Sequence, residues 1–173
     1  MRVLGKLGHS YNDLGQLQRA IEYYQQDLEI AREIGDRAEE GGFLCNLGHA
    51  YNDQGDDNQA IDYYQQALVI LQEIGHCEFQ ANTLLGLGHV YHDQGQYQTA
   101  IDYYQQYLEI AWSIGDRTGQ IRGLGNLGHV YYDQGQFQRA IEYYQQALEI
   151  ARSIGDRSGE AIAWFNLGKL EDK

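Results

Sequence analysis

Histidine and aspartate recur four residues apart at four places in the sequence, and these pairs are the first candidates for chemistry. On a helix this spacing puts both side chains on one face. Imidazole nitrogens and carboxylates can hold a peptide backbone, select Lys or Arg side chains, or ligate a metal ion. The four pairs are His9–Asp13, His49–Asp53, His89–Asp93 and His129–Asp133.

Three interpretations of these pairs stay open. In the first, each pair is a solvated contact worth about 0.2–0.5 kcal/mol, retained from recent duplication of the segment. In the second, the pairs line a peptide-binding wall. The third, a metal site, is the weakest, because zinc takes about four ligands and one helix here supplies two. We therefore predict no metal and no cofactor.

Catalysis is also disfavoured by the residues near these pairs. Cys45 precedes His49 by four residues, so a thiol and an imidazole share a helix face. A nucleophile also needs a dry cleft and a third group that orients the histidine. Neither is evident, and the chain is predicted not to be an enzyme.

A segment beginning Leu-Gly returns every 40 residues and carries the pairs with it. The copies begin near Leu7, Leu47, Leu87 and Leu127, and a closing half-repeat begins at Leu167. A fixed period of this length predicts a stacked array of repeats, not a fold that closes on itself. We predict one domain over residues 1–173, with about four and a half repeats.

Each repeat is predicted to be a hairpin of two helices. Ala140, Tyr144, Ala147 and Leu148 recur at helical spacing, and Gly155 followed by Asp156 supplies a stop signal and an N-cap. First-type helices are predicted at 2–14, 37–53, 78–93, 117–133 and 158–171, and second-type helices at 17–34, 57–74, 97–114 and 137–154. The linker before the third first-type helix has His76 where the others have Asp, which predicts a weaker cap by roughly 0.5–1 kcal/mol.

Glycine and tyrosine occur at fixed places within the hairpin. A glycine in mid-helix costs about 1 kcal/mol relative to alanine, so the Gly of each Leu-Gly pair is expected where two helices pack closely. One tyrosine of each Tyr-Tyr pair is expected inside and the other at the margin. The Gln-Gln pairs and the Asp and Glu residues beside them are expected on the solvated outer face.

These residues resemble the tetratricopeptide repeat. Leu127-Gly128-x2-Tyr131 followed by Ala140-x3-Tyr144 is similar to its pattern, and Trp164-x2-Leu167-Gly168 has its tryptophan form. The period of 40 exceeds the usual 34 and resembles the longer repeats of LGN/Pins adaptors, kinesin light chains and bacterial multi-repeat signalling proteins. The resemblance implies an all-α, right-handed superhelical solenoid whose first-type helices line a concave groove.

The groove is predicted from the positions of the first-type helices that neither pack nor cap. The groove is not expected to bind the C-terminal carboxylate of a partner, because its few basic residues lie toward its two ends with Asp residues between them. The predicted peptide-binding residues are Lys6, His9, Asn12, Asp13, Asn46, His49, Asn52, Asp53, His89, His92, Asp93, Arg122, Asn126, His129, Tyr132, Asp133, Asn166 and Lys169.

Charge and composition narrow the class of partner. Twelve basic and 25 acidic residues give a formal net charge of −13, which argues against nucleic acid and anionic membranes. No run of about 18 apolar residues is present, and two cysteines favour a reducing cytoplasm.

The sequence therefore predicts a protein-interaction scaffold that binds an extended or helical segment with Lys or Arg. The alternative is a structural spacer or self-associating segment of a larger signalling protein. The apolar last helix predicts end-to-end self-association, because solenoids need polar caps.

Overall fold

Alternating first-type and second-type helices build the chain. The computed structural model describes the backbone of residues 2–170 and the side chains of residues 7–170. The described residues form nine α-helices and no strand. They are α1 (Arg2–Asp13), α2 (Leu17–Ile34), α3 (Arg37–Gln54), α4 (Asp57–Ile74), α5 (Cys77–Asp93), α6 (Tyr97–Ser113), α7 (Arg117–Asp133), α8 (Phe137–Ile154) and α9 (Arg157–Gly168).

These bounds confirm the predicted helices to within three residues, and the all-α repeat fold with them. The chain divides into two compact units, residues 1–90 and 91–173. In the first unit α1 packs on α2, α2 on α3 and α3 on α4, and in the second α6 packs on α7, α7 on α8 and α8 on α9.

Carboxylates begin most first-type helices, as the sequence predicts. Asp116 accepts a hydrogen bond from the backbone N–H of Gly119 at 2.9 Å, which satisfies one of the free amides at the start of α7. At the start of α5, His76 Nδ1 accepts from the N–H of Phe79 at 3.4 Å, and its ring stacks on the ring of Phe79. The capping hydrogen bond at the start of α5 is therefore longer than those made by the aspartates.

In three hairpins, α1–α2, α3–α4 and α7–α8, a tyrosine ring lies against a glycine. A Cβ on Gly48 would come within 2.5 Å of the Tyr64 ring, and a Cβ on Gly128 within 2.5 Å of Tyr144. Gly48 and Gly128 therefore permit the close packing that the sequence predicts, whereas a Cβ on Gly168 would meet no atom within 4 Å, so the prediction is wrong there. Tyr24, Tyr64, Tyr104 and Tyr144 are buried. The neighbouring tyrosines are half-buried and stack on the tyrosine of the preceding helix, as in Tyr51–Tyr63 and Tyr131–Tyr143.

One side chain expected on the outer face lies in the core. Asp27 follows the first Gln-Gln pair, but it is 0% exposed, and neither carboxylate oxygen has a hydrogen-bond partner in the part of the chain whose side chains are described. Its equivalents are the buried residues Ala67, Tyr107 and Ala147. The expectation is wrong here because position 27 turns inward on α2, whereas both glutamines before it are exposed.

Candidate functional site

Three of the four histidines, His9, His49 and His129, lie against buried tyrosines. His9 Nδ1 lies 3.0 Å from the hydroxyl of Tyr24, and His49 Nδ1 lies 2.7 Å from the hydroxyl of Tyr64. Both bonds join a first-type helix to the second-type helix of the same hairpin. The His129 ring stands edge-on to the ring of Tyr144, with centroids 5.6 Å apart.

The buried tyrosine determines which nitrogen of His49 carries the proton. Tyr64 is 0% exposed, and its hydroxyl proton needs an acceptor in the interior. His49 Nδ1 is that acceptor in the described part of the chain, so Tyr64 donates to Nδ1 and the neutral imidazole carries its proton on Nε2. The histidine therefore keeps its Nε2–H as a donor.

Burial keeps His49 neutral near pH 7. Desolvation lowers the pKa of His49 below its usual value, and the neighbouring His89 lowers it further while Asp53 opposes both. Desolvation also lowers the pKa of His129, and a hydrogen bond that the imidazole donates to the Asn166 side chain opposes this shift. Loss of hydration penalises the imidazolium in each case.

Exposed carboxylates lie beside the anchored histidines in the first unit. Burial raises the pKa of Tyr24 to about 12, and the nearby charges of Asp13 and Asp53 raise it as well. Both aspartates are therefore near enough to act on the Tyr24 hydroxyl, which is bonded to His9. Both are exposed, and among the described residues neither forms an ion pair.

In the second unit, six of the predicted groove residues line one pocket of about 240 Å³. His92 Nε2 lies 2.7 Å from Asp133 Oδ2, so this carboxylate pairs with a histidine of the neighbouring first-type helix and not with His129. The lining residues are His92, His129, Tyr132, Asp133, Tyr144, Asn166 and Lys169.

A second pocket lies between α7 and α9. It has a volume of about 340 Å³, and its lining includes Ile121, Arg122, Asn126 and Ile162. His129 and Asn166 line both pockets, so the two are adjacent. A side chain entering this pocket meets apolar and polar groups together.

Most predicted site residues are at least partly accessible. Lys6 lies outside the residues whose side chains the structure describes, and Asn166 is buried at 5% exposure. His9, Asp13, Asp53, Asp93, Arg122, His129, Asp133 and Lys169 are exposed, and Asn12, Asn46, His49, Asn52, His89, His92, Asn126 and Tyr132 are half-buried. Sequence reasoning missed the tyrosine hydroxyls, although each lies 15 residues after the histidine it anchors.

Neither Cys45 nor any cluster of ligand-type side chains among the described residues offers reactive chemistry in this structure. Burial raises the pKa of Cys45 to about 11, so its thiol stays protonated at neutral pH and is a poor nucleophile. Among the described residues no three His, Cys, Asp or Glu side chains come together as metal ligands. None of the described helices has the length and hydropathy of a membrane span.

Comparison with known protein families gives one family that matches along most of the chain. The sequence profile of the tetratricopeptide repeat matches residues 1–68, 39–111 and 120–173. No curated protein sequence matches the chain.

Several solved structures have the same fold as this chain. Aspartyl phosphate phosphatase F of Bacillus subtilis is 19% identical with a TM-score of 0.89, over 94% of this chain and 43% of that one. The signal transduction ATPase with a tetratricopeptide repeat sensor from Pyrococcus horikoshii is 23% identical, with a TM-score of 0.82, over 94% and 25% of the chains. A putative kinesin light chain of Podospora anserina is 20% identical, with a TM-score of 0.77, over 99% and 88%. The chain thus spans less than half of the first two structures.

Proposed function

The chain belongs to the tetratricopeptide repeat family, and from this we propose that it is a non-catalytic scaffold for protein interactions. Its partner is an extended or helical segment carrying Lys or Arg, which binds along the groove of the first-type helices. Neither nucleic acid nor a membrane is a partner, and the scaffold works in the cytoplasm, where its free cysteines stay reduced.

The unpaired aspartates of the first unit carry this proposal. Asp13 and Asp53 are exposed and form no ion pair among the described residues, so a bound Lys or Arg gains a charge-assisted hydrogen bond without breaking one. His49 Nε2–H beside them donates to a carbonyl oxygen of the partner backbone. Acceptors for the side chain and donors for the backbone together suit a basic peptide.

A binding titration tests the proposal with matched variants. The probe is a fluorescent peptide of alternating Lys and Ala residues, measured by anisotropy at low and physiological ionic strength. We expect Asp13→Asn with Asp53→Asn to weaken binding about tenfold. Glu22→Gln with Asp62→Asn removes the same charge from exposed positions of the second-type helices and should weaken it less than twofold. Equal losses of affinity in both variants would mean that only the net charge matters, and would contradict binding along the groove.

The alternative is a spacer or a self-associating segment of a larger protein. A spacer binds no peptide and tolerates both double substitutions. End-to-end self-association is favoured by the exposed apolar side chains of α9, Ile162, Trp164 and Phe165. Light scattering over a hundredfold range of concentration tests it, and a constant monomeric mass would exclude self-association.

A further inference from the structure

A cleft of about 300 Å³ lies in the second unit, where α6 and α8 end and α7 begins. In its lining Trp112 is 49% exposed, whereas Ile150 is buried. None of the lining residues belongs to the predicted groove, so the cleft is a separate surface, which we call the Trp112 cleft. The lining residues are Trp112, Arg117, Gln146, Glu149, Ile150 and Ser153.

The first unit shows what the equivalent residues do two repeats earlier. There the Arg37 guanidinium is held by two carboxylates, Glu40 Oε2 at 2.7 Å and Glu73 Oε2 at 3.0 Å. Glu40 also pairs with Arg32, whose Nε lies 3.0 Å from its Oε1. Two arginines and two glutamates of α2, α3 and α4 therefore satisfy one another's charges.

The second unit keeps one arginine of this network, Arg117, and has uncharged side chains in place of the other three members. Arg117 donates to Gln120 Oε1 at 3.1 Å, and among the described residues it forms no ion pair. Its side chain is exposed, so further guanidinium N–H groups can donate to a carboxylate from outside the chain. The replacements are Glu40 by Gln120, Glu73 by Ser153 and Arg32 by Trp112.

The side chains that replace the network leave room for an apolar group as well as a carboxylate. Ser153 Oγ donates to the backbone oxygen of Ile150 at 2.7 Å, so this short side chain turns to its own helix and does not occupy the place of a glutamate. Trp112 offers exposed ring surface on the same cleft. Tryptophan and arginine are enriched among the residues that dominate binding energy, so the pair suits a ligand with an apolar and an acidic group.

One carboxylate, that of Glu149, also lines the cleft. It is exposed and forms no ion pair with Arg117, so it does not neutralise the guanidinium. It repels a second carboxylate placed beside it and accepts an N–H instead. A bound carboxylate is therefore directed to Arg117.

We propose that the Trp112 cleft binds an acidic segment of another protein, with a Glu or Asp carboxylate on Arg117 and a neighbouring apolar side chain on Trp112. The Arg37–Glu73 pair is the model for the ionic contact. A surface ion pair alone contributes little, and burial of apolar area against Trp112 adds to it. The surface and the charge of this segment differ from those of the groove and its basic partner, so the inference does not depend on the proposed function.

The probe is a blocked, fluorescent peptide of Gly and Ser residues with Leu-Glu-Leu at its centre, compared with the same peptide carrying Leu-Gln-Leu. Anisotropy is measured at physiological ionic strength, because at low salt the net charge of −13 repels an acidic peptide over longer distances. Trp164→Phe in the full chain leaves Trp112 as the one tryptophan, so its emission reports on the cleft. We expect saturable binding of the Leu-Glu-Leu peptide with a blue shift of Trp112 emission, and at least fivefold weaker binding of the Leu-Gln-Leu peptide.

Ser153→Glu tests the ionic contact, because it restores the carboxylate that Glu73 supplies in the first unit. The new side chain pairs with Arg117 from within the chain, and should weaken binding of the Leu-Glu-Leu peptide at least tenfold without lowering the melting temperature. Gln65→Glu is the matched control. It adds the same charge at an exposed position of α4 and should change binding less than twofold.

Trp112→Gln tests the apolar contact separately. The equivalent residue of the first α3–α4 hairpin is Gln72, so glutamine suits this position of a second-type helix. We expect the variant to keep its melting temperature and to bind the Leu-Glu-Leu peptide about fivefold more weakly.

Three results would overturn the proposal. One is no shift of Trp112 emission with the Leu-Glu-Leu peptide at millimolar concentration. Another is an equal loss of affinity in Ser153→Glu and Gln65→Glu, since net charge would then explain it. The third is a mass that rises with protein concentration and returns to the monomer in Ser153→Glu, because a second copy would then occupy the cleft.

Discussion

At the scale of single residues, the buried Asp27 carries an energetic cost for the fold. Among the described residues its carboxylate has no hydrogen-bond partner, and burial raises its pKa above the usual value. An uncompensated buried polar group costs about 1–3 kcal/mol. The equivalents Ala67 and Ala147 are buried without such a penalty.

We predict that Asp27→Ala raises the free energy of unfolding at pH 7 by about 1–2 kcal/mol. The folded state binds the Asp27 proton at higher pH than the unfolded state, so the native chain regains stability as the pH falls from 7 through the raised pKa. The advantage of the variant should therefore shrink by pH 5. Urea denaturation at both pH values measures this, and Ala67→Asp, which buries a new carboxylate, should destabilise. A variant no more stable than the native chain at pH 7 contradicts the argument.

His49 predicts the opposite dependence on pH. Its pKa is lowered by burial, so the unfolded state takes up its proton first, and stability falls as the pH drops below about 6.5. His49→Gln cannot titrate and should lose less stability between pH 7.5 and 5.5 than the native chain. Urea denaturation across this range checks the prediction, with the exposed His9→Gln as the comparison. Parallel slopes for native chain and His49→Gln would contradict it.

At the scale of the helices, the caps explain why the boundaries could be predicted and where the joints differ. Asp116 caps α7 at 2.9 Å, whereas His76 approaches the corresponding amide only to 3.4 Å. Glycine stops and aspartate caps are local signals, written within a few residues of the boundary that they set. Little beyond the linker sequence was therefore needed to place α5 and α7.

We predict that Asp116→His lowers the free energy of unfolding by about 0.5–2 kcal/mol, the usual worth of such a cap. The reciprocal His76→Asp should raise it by less, because it gains a carboxylate cap but loses the stacking of His76 on Phe79. Thermal and urea denaturation of both variants measure the two effects. If Asp116→His is neutral, histidine caps these helices as well as aspartate does.

The site was less predictable than the helices, for a physical reason. Helical spacing placed His49 and Asp53 on one face. It could not show that the Tyr64 hydroxyl forms a hydrogen bond with His49 Nδ1. Likewise His92 pairs with Asp133 of another helix, which is 41 residues later in the sequence and not four. Such bonds depend on how one helix is rotated against the next, which the spacing within a single helix does not fix.

At the scale of the whole molecule, a repeat array has no single core that every residue shares. Within the units, helices pack on their neighbours in the chain, as α7 does on α6 and α8, so stability is approximately a sum of local and nearest-neighbour contributions. A substitution in one hairpin should then weaken that hairpin and its neighbours more than a distant one. Such a chain departs from two-state unfolding once a repeat is weak enough.

We predict that Tyr144→Ala, which removes a ring that is 2% exposed, costs about 3–5 kcal/mol within its hairpin. Amide hydrogen exchange should accelerate in α7 and α8 while α2 and α3 keep their native rates, because exchange reports the free energy of local opening. Tyr24→Ala is the matched substitution and should reverse the pattern. Equal acceleration in all of these helices would mean that the array opens as one cooperative unit, and the nearest-neighbour account would then be wrong for this chain.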